Sequence, residues 1–159
     1  MSTSIFFYSS GSKLFNSPLR EGVETEETKS LQEELSKLLP YGEAPLYRGT
    51  SMETVERLLE GEELEEEAIL RDPAFFSTTK SERYLVESDF LKDCMIVVLD
   101  HSTGRDITEV SAFPEEEEVL FLPGTMFEVV EIDYYGEHPA DPDDTCVIIY
   151  VEEYTGPPD

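Results

Sequence analysis

The feature that most constrains this chain is the form of its apolar residues after Phe75, which come in short runs parted by turn formers rather than in long helical stripes. Met95–Leu99 and Cys146–Val151 have strand length and fall far short of a membrane span. Phe75–Thr78, Glu118–Leu122 and Phe127–Tyr134 read as extended too, and Pro123-Gly124-Thr125 between the last two predicts a hairpin. Upstream the period changes. Leu31, Leu35, Leu38 and Leu39 recur at helical spacing, so a helix is predicted over Glu26–Leu39, stopped by Pro40. Ser4–Ser9 and Pro45–Gly49 read as short strands. Thr50 and Glu53 have capping-box spacing and open a helix through Leu59. Glu62–Glu67 is a solvated helix or loop, and Ser81 caps a helix through Phe90. His101–Pro114 reads as a polar loop and Glu137–Asp144 as a long acidic loop before a final strand, Thr145–Glu152. Helices early and strands late predict an α+β fold with a mainly antiparallel sheet. No linker or repeat divides residues 1–159, so a single domain is expected.

Composition narrows the function. Eleven basic residues face 37 acidic ones, a formal net charge of -26. Such a chain repels nucleic-acid phosphates and anionic membranes, so a broad electrostatic grip on either is not expected. Salt adaptation, a basic partner and nucleic-acid mimicry all account for the charge. The first ten residues lack a basic segment followed by a long apolar one, so no secretory signal is read and action in a cytoplasm is expected, its own or one reached by delivery. Cys94 and Cys146 read as reduced core cysteines, and no Cys or His cluster has metal-ligand spacing. His101 and His138 stand alone in turn-rich sequence and read as surface residues. A monomer is expected.

Three segments carry chemistry together: Tyr47-Arg48-Gly49, Ser77-Thr78-Thr79 behind Phe75-Phe76, and the run Glu115-Glu116-Glu117-Glu118-Val119-Leu120-Phe121 with Pro123-Gly124-Thr125-Met126-Phe127 after it. Their order and flanks resemble those of the arginine-serine-glutamate class of mono-ADP-ribosyltransferases over about residues 45–135, with a motif-bearing core at about 45–152. That family has an aromatic-Arg-Gly strand, a Ser-Thr-Ser/Thr strand, and Glu-x-Glu followed by Val-Leu and Pro-Gly-Thr-x-Phe. The resemblance implies two packed, mainly antiparallel sheets around an NAD cleft. Only some 47 residues precede Arg48, so the family's helical N-terminal part is expected to be reduced to one main helix.

The resemblance also implies roles. Cleaving the nicotinamide–ribose bond develops oxocarbenium character, which an anion near the ribose stabilises. Glu118 would be that anion, with Ser77 holding it in place. Arg48 would bind the NAD pyrophosphate through directional, charge-assisted bonds. The backbone of Gly49 would meet the carboxamide, and Thr78 and Arg83 would complete the NAD contacts. For Arg83 an exposed helical arginine is the competing reading. Glu116, two residues before Glu118, would face the same way on an extended segment at about 6–7 Å and receive the acceptor. Glu at this position goes with arginine acceptors in the family. Adjacent glutamates should raise one another's pKa values. Phe113 would touch the target, or equally would pack in the core or plug a turn. The expected function is NAD+-dependent transfer of ADP-ribose to a protein arginine, with NAD+ hydrolysis on the side and no metal. The alternatives are a catalytically weak NAD-binding module of the same fold and an acidic partner-binding protein. A toxin, phage and domestic origin are equally open.

Overall fold

Two helices lead the chain, α1 (Lys13–Arg20) and α2 (Glu26–Ser36), in the computed structural model, which describes residues 4–5, 8, 11–87, 92–139 and 141–155. Ser4, Ile5 and Tyr8 are helical as well, so they do not form the strand expected at Ser4–Ser9, whose other residues lie outside the described set. Ile5 and Tyr8 are three apart, the spacing that puts two side chains on one helix face, and both are buried against Phe15, Leu31 and Leu35. The N-terminal helical part is small, as expected, and holds a second helix beside the one main helix expected. In α2 the Thr28 N–H donates to Thr25 Oγ1 at 3.2 Å and the Thr25 N–H to Thr28 Oγ1 at 2.9 Å, a reciprocal cap. The helix stops at Ser36, short of Leu39, which is 87% exposed and gains no burial from a further turn.

Strand β1 (Leu46–Thr50) runs into α3 (Met52–Leu58). Ser51 caps α3 by accepting from the Thr54 N–H, one residue later than expected, because Thr50 belongs to the strand. Next come β2 (Ile69–Arg71), β3 (Phe76–Thr79), α4 (Glu82–Glu87), β4 (Cys94–Asp100), the short β5 (Arg105–Asp106), a 3-10 turn (Pro114–Glu116) and β6 (Glu118–Phe121). Ser81 Oγ accepts from the Tyr84 N–H at the start of α4; the expected extension to Phe90 falls outside the described residues. Strands β7 (Met126–His138) and β8 (Asp141–Glu153) close the sheet.

Two expectations fail here for identifiable reasons. Glu118–Leu122 and Phe127–Tyr134 do not form a hairpin, since β6 pairs with β3 and β5 whereas β7 pairs with β2 and β8. The Thr125 N–H reaches Leu122 O with Pro123 second and Gly124 third in the turn at φ 82°. That is a type II turn, which splays strands, and the Gly124 N–H is tied instead to Asp72 O at 2.8 Å. The true hairpin is β7–β8, and it takes up most of the stretch expected as an acidic loop at Glu137–Asp144. Gly136 opposite Cys146 permits this pairing, because a Cβ there would lie 2.5 Å from Ile148 Cδ1. The acidic side chains of the segment remain in solvent on the ladder.

All pairs are antiparallel except β4 with β8, and the strands form one eight-stranded sheet in the order β2-β7-β8-β4-β1-β3-β6-β5. Four strand spacings, about 19 Å in a flat sheet, separate β7 from β3. Yet the Phe127 and Phe76 rings lie 4.8 Å apart, and Phe127 and Phe121 lie 5.2 Å apart. The sheet is thus doubled over, and the two packed layers expected from the sequence are halves of one hydrogen-bonded ladder. Phe76, Val119, Phe121, Phe127 and Val151 fill the interior with Val55 and Leu58 of α3. Alternation sends Phe75 and Leu120 to the opposite face, where they meet the N-terminal helices. Cys94 lies in the interior and Cys146 on the outer face under Leu85 of α4; both are buried free thiols. His101 is buried rather than on the surface, its Nε2 2.7 Å from Glu43 O and its ring edge-on to Phe121 at 5.4 Å.

Candidate active site

Strands β1, β3 and β6 are neighbours, so the three motif segments lie side by side. The register sets Tyr47 opposite Thr79 and Thr79 opposite Glu118. Arg48, Gly49, Ser77, Thr78, Glu116 and Glu118 line one cleft of about 310 Å³. Phe113 and Arg83 do not line it. Phe113 is 43% exposed just before the 3-10 turn, and Arg83 is exposed on α4.

Glu116 and Glu118 reach the cleft by a route other than the expected extended segment. Glu116 ends the 3-10 turn, Glu117 takes left-handed φ 45°, and only Glu118 begins the strand. The end of β3 fixes this bend: Thr79 Oγ1 donates to Glu116 O at 2.6 Å and the Lys80 N–H to Glu117 O at 3.1 Å. A left-handed non-glycine residue costs on the order of 1 kcal/mol, which these two bonds offset.

Glu118 is 6% exposed, and burial pushes its carboxyl up to about 7, with the charge of Glu116 adding to the rise. A hydrogen bond from Ser77 and the charge of Arg48 act in the opposite direction. Glu116 is raised too, again by burial first, while a bond from Tyr84 lowers it. Withdrawal from water, more than repulsion within the Glu run, is therefore the main cause. Arg48 Nη1 donates to Ser77 O at 3.2 Å, and its guanidinium carbon sits 4.5 Å from the centre of the Phe76 ring. Its buried Nε has no hydrogen-bond partner among the described residues.

Six further lining residues escaped the sequence reading: Tyr8, Ser12, Asn16, Arg20, Tyr84 and Leu85. Arg20 pairs with Asp72 at 3.5 Å and is a second cation at the cleft. Its signal was rarity, one of 11 basic residues in a strongly acidic chain. Tyr8 and Asn16 had no local signal. Among the described residues no His, Cys, Asp or Glu group is arranged to hold a metal, and no helix is long and apolar enough to cross a membrane.

Against known proteins, the model of the NAD:arginine ADP-ribosyltransferase family matches residues 6–139. The chain belongs to this family. A protein of Mycobacterium avium (strain 104) that carries the name NAD+–arginine ADP-ribosyltransferase Mav is 32% identical over 126 residues, 76% of this chain and 14% of that protein. The chain thus spans about one seventh of that relative's length. Among solved ADP-ribosyltransferase structures, C3stau2 of S. aureus, determined with NAD, superposes with a TM-score of 0.72 at 18% identity, covering 98% of this chain and 86% of that one. Vis, from Vibrio splendidus, determined with agmatine, superposes with a TM-score of 0.71 at 20% identity, covering 98% and 74%. At these identities the likeness shows the ADP-ribosyltransferase fold, and NAD is the co-substrate after which the family is named.

Proposed function

We propose that this chain is an NAD+-dependent mono-ADP-ribosyltransferase that modifies an arginine side chain of a target protein and slowly hydrolyses NAD+ in its absence. The observation that carries the reading is the convergence of a buried carboxylate, Glu118, a more accessible one, Glu116, and the cation Arg48 on one cleft. Arg48 suits a pyrophosphate: its Nε is a buried donor with no partner among the described residues, and Arg20 adds a second positive charge at the same cleft. Gly49 and Thr78 line the same wall. Glu118, held by Ser77, would stabilise positive charge developing on the ribose as nicotinamide leaves. The arginine nitrogen then bonds to the ribose carbon that nicotinamide quits, and Glu116 would bind the guanidinium and take its proton. The agmatine complex of Vis, the NAD complex of C3stau2 and the name of Mav support this choice of substrates. Phe113, exposed on the approach to Glu116, is a candidate contact for the target protein.

The two glutamates separate the partial reactions. Water needs no guanidinium-binding anion, whereas an arginine analogue does. Glu116→Gln is expected to lower ADP-ribose transfer to agmatine by at least about tenfold while NAD+ hydrolysis stays within about threefold. Both rates are read on one preparation whose thermal unfolding matches that of the parent. Equal loss of both would remove the basis for an arginine acceptor, and undiminished agmatine transfer would remove it more directly.

A further inference from the structure

We propose that Tyr8 and Asn16 are positioning residues that fix the direction of a buried hydrogen-bond chain, so that the Ser77 hydroxyl is held as a donor to Glu118. The inference rests on the reading of Glu118 as the working carboxylate. It starts from a backbone amide. The Phe75 N–H donates to Asn16 Oδ1 at 3.0 Å, which fixes the oxygen end of that side-chain amide. Asn16 Nδ2, which can only donate, then lies 3.1 Å from Tyr8 OH. Tyr8 OH also lies 2.9 Å from Ser77 Oγ, a contact in which either oxygen could donate; with Asn16 Nδ2 a donor, the Tyr8 hydrogen finds its acceptor in Ser77 Oγ. Ser77, having accepted, keeps its hydrogen to offer, and Glu118, on the paired strand β6 and lining the same cleft, is the carboxylate that a Ser77 bond holds down against burial.

The opposite direction breaks the chain. With Glu118 protonated and donating, Ser77 Oγ accepts from both Tyr8 and Glu118 and its own hydrogen is turned out of the chain, because Tyr8 cannot pass a hydrogen on to Asn16 Nδ2, which has no lone pair to offer. The chain therefore favours the ionised carboxylate against the burial that opposes it. Neither residue is placed to do chemistry on a substrate, since Tyr8 is 2% and Asn16 5% exposed. The Tyr8 ring is wedged edge-on against Phe15 and Phe75, with centroids at 5.5 and 5.6 Å, which holds its hydroxyl in place. The phenol is pushed up to about 12, chiefly by burial and then by the charge of Glu118, so it keeps its proton. The other groups facing Glu118 are Arg48 from β1, Glu116 from the 3-10 turn and Tyr84 from α4, with Asp72 and Arg20 acting on Arg48 in turn. Removing the Tyr8 hydroxyl leaves all of these in place.

The test needs no NAD+. Protein labelled with 13C at the glutamate carboxyls is titrated by NMR, and the Glu118 signal is the one missing from Glu118→Gln. Tyr8→Phe is expected to raise the Glu118 midpoint by about half to one pH unit. In a Ser77→Ala background the same change should add nothing, because the link is already cut. No shift in the parent, or an equal shift in both backgrounds, would overturn the proposal and leave Tyr8 as packing. Asn16→Asp keeps the bond from Phe75 and exchanges a donor for an acceptor, so it serves if Tyr8→Phe does not fold. Its upward shift should be larger with Ser77 present than in the Ser77→Ala background, where only the added charge acts; equal shifts overturn the proposal. A titration that behaves as expected in a protein without NAD+ turnover would instead count against the assigned function.

Discussion

Glu118→Gln is expected to lower NAD+ hydrolysis and transfer by more than about 100-fold, the scale of losing one preorganised electrostatic group, while making the fold more stable at neutral pH. The two effects have one cause. Burial raises the Glu118 carboxyl from 4.5 to about 7. Well below 4.5 the folded and unfolded chains both hold the proton and nothing is lost. Between 4.5 and about 7 the folded state holds it and the unfolded state does not, so stability falls as pH rises; above 7 the loss is complete. Its full size is on the order of 3 kcal/mol, and glutamine, which mimics the protonated form, escapes it. Thermal unfolding at pH 8 should rise by roughly 5–10 °C in the variant, with the two proteins converging toward pH 4. Activity of the parent should fall as pH drops through about 7, where Glu118 takes up its proton. A variant that loses activity without gaining stability at pH 8 would mean that Glu118 ionises without strain. Near-parental turnover would mean that the catalytic carboxylate lies elsewhere.

The largest loss of stability is expected at Phe127→Ala. Phe127 is 1% exposed and touches Phe76 and Phe121, so one ring from β7 joins the two halves of the doubled sheet. Deleting a buried phenylalanine costs about 3–5 kcal/mol through lost transfer energy and the cavity left behind, a large share of the roughly 5–15 kcal/mol that a domain commonly has. Urea unfolding measures it. A loss below about 1 kcal/mol would show that the halves are held by α3 and the strand ladder rather than by the aromatic contact.

What was legible in the sequence was whatever local pattern encodes. The strand-length runs located β4, β6 and the cores of β7 and β8, and the motif residues Arg48, Gly49, Ser77, Thr78, Glu116 and Glu118 do meet in one cleft. The misreadings were of partnership. Pro123-Gly124 was visible as a turn, but the partners on either side of it were not: the Gly124 N–H bonds Asp72 O, and β7 leaves β6 to pair with β2 and β8. The left-handed bend at Glu117 is likewise fixed from β3, at Thr79 and Lys80, and not by any residue of the Glu run. Tyr8 and Asn16 become meaningful only once the N-terminal helices are laid against Ser77 and Phe75, 69 and 59 residues away. Acidic composition misled at β7–β8 because it reports solvation, which an exposed ladder satisfies as well as a loop does.

The place of β8 in the sheet has a consequence for how the chain acquires its shape. This strand, last in sequence, sits between β7 and β4 and supplies the sole parallel pairing among the described residues. Until it is made, β4 has one free edge and, among the described residues, the half that carries β2 and β7 has no strand pairing with the half that carries β1, β3 and β6. Closure across so long a sequence separation is entropically expensive, so folding in milliseconds to seconds is expected rather than in microseconds. On a ribosome, the cleft residues emerge well before the strand that joins the halves. The nascent chain then presents two unpaired strand edges of an acidic protein, and the mutual repulsion of those charges protects it from pairing with its neighbours.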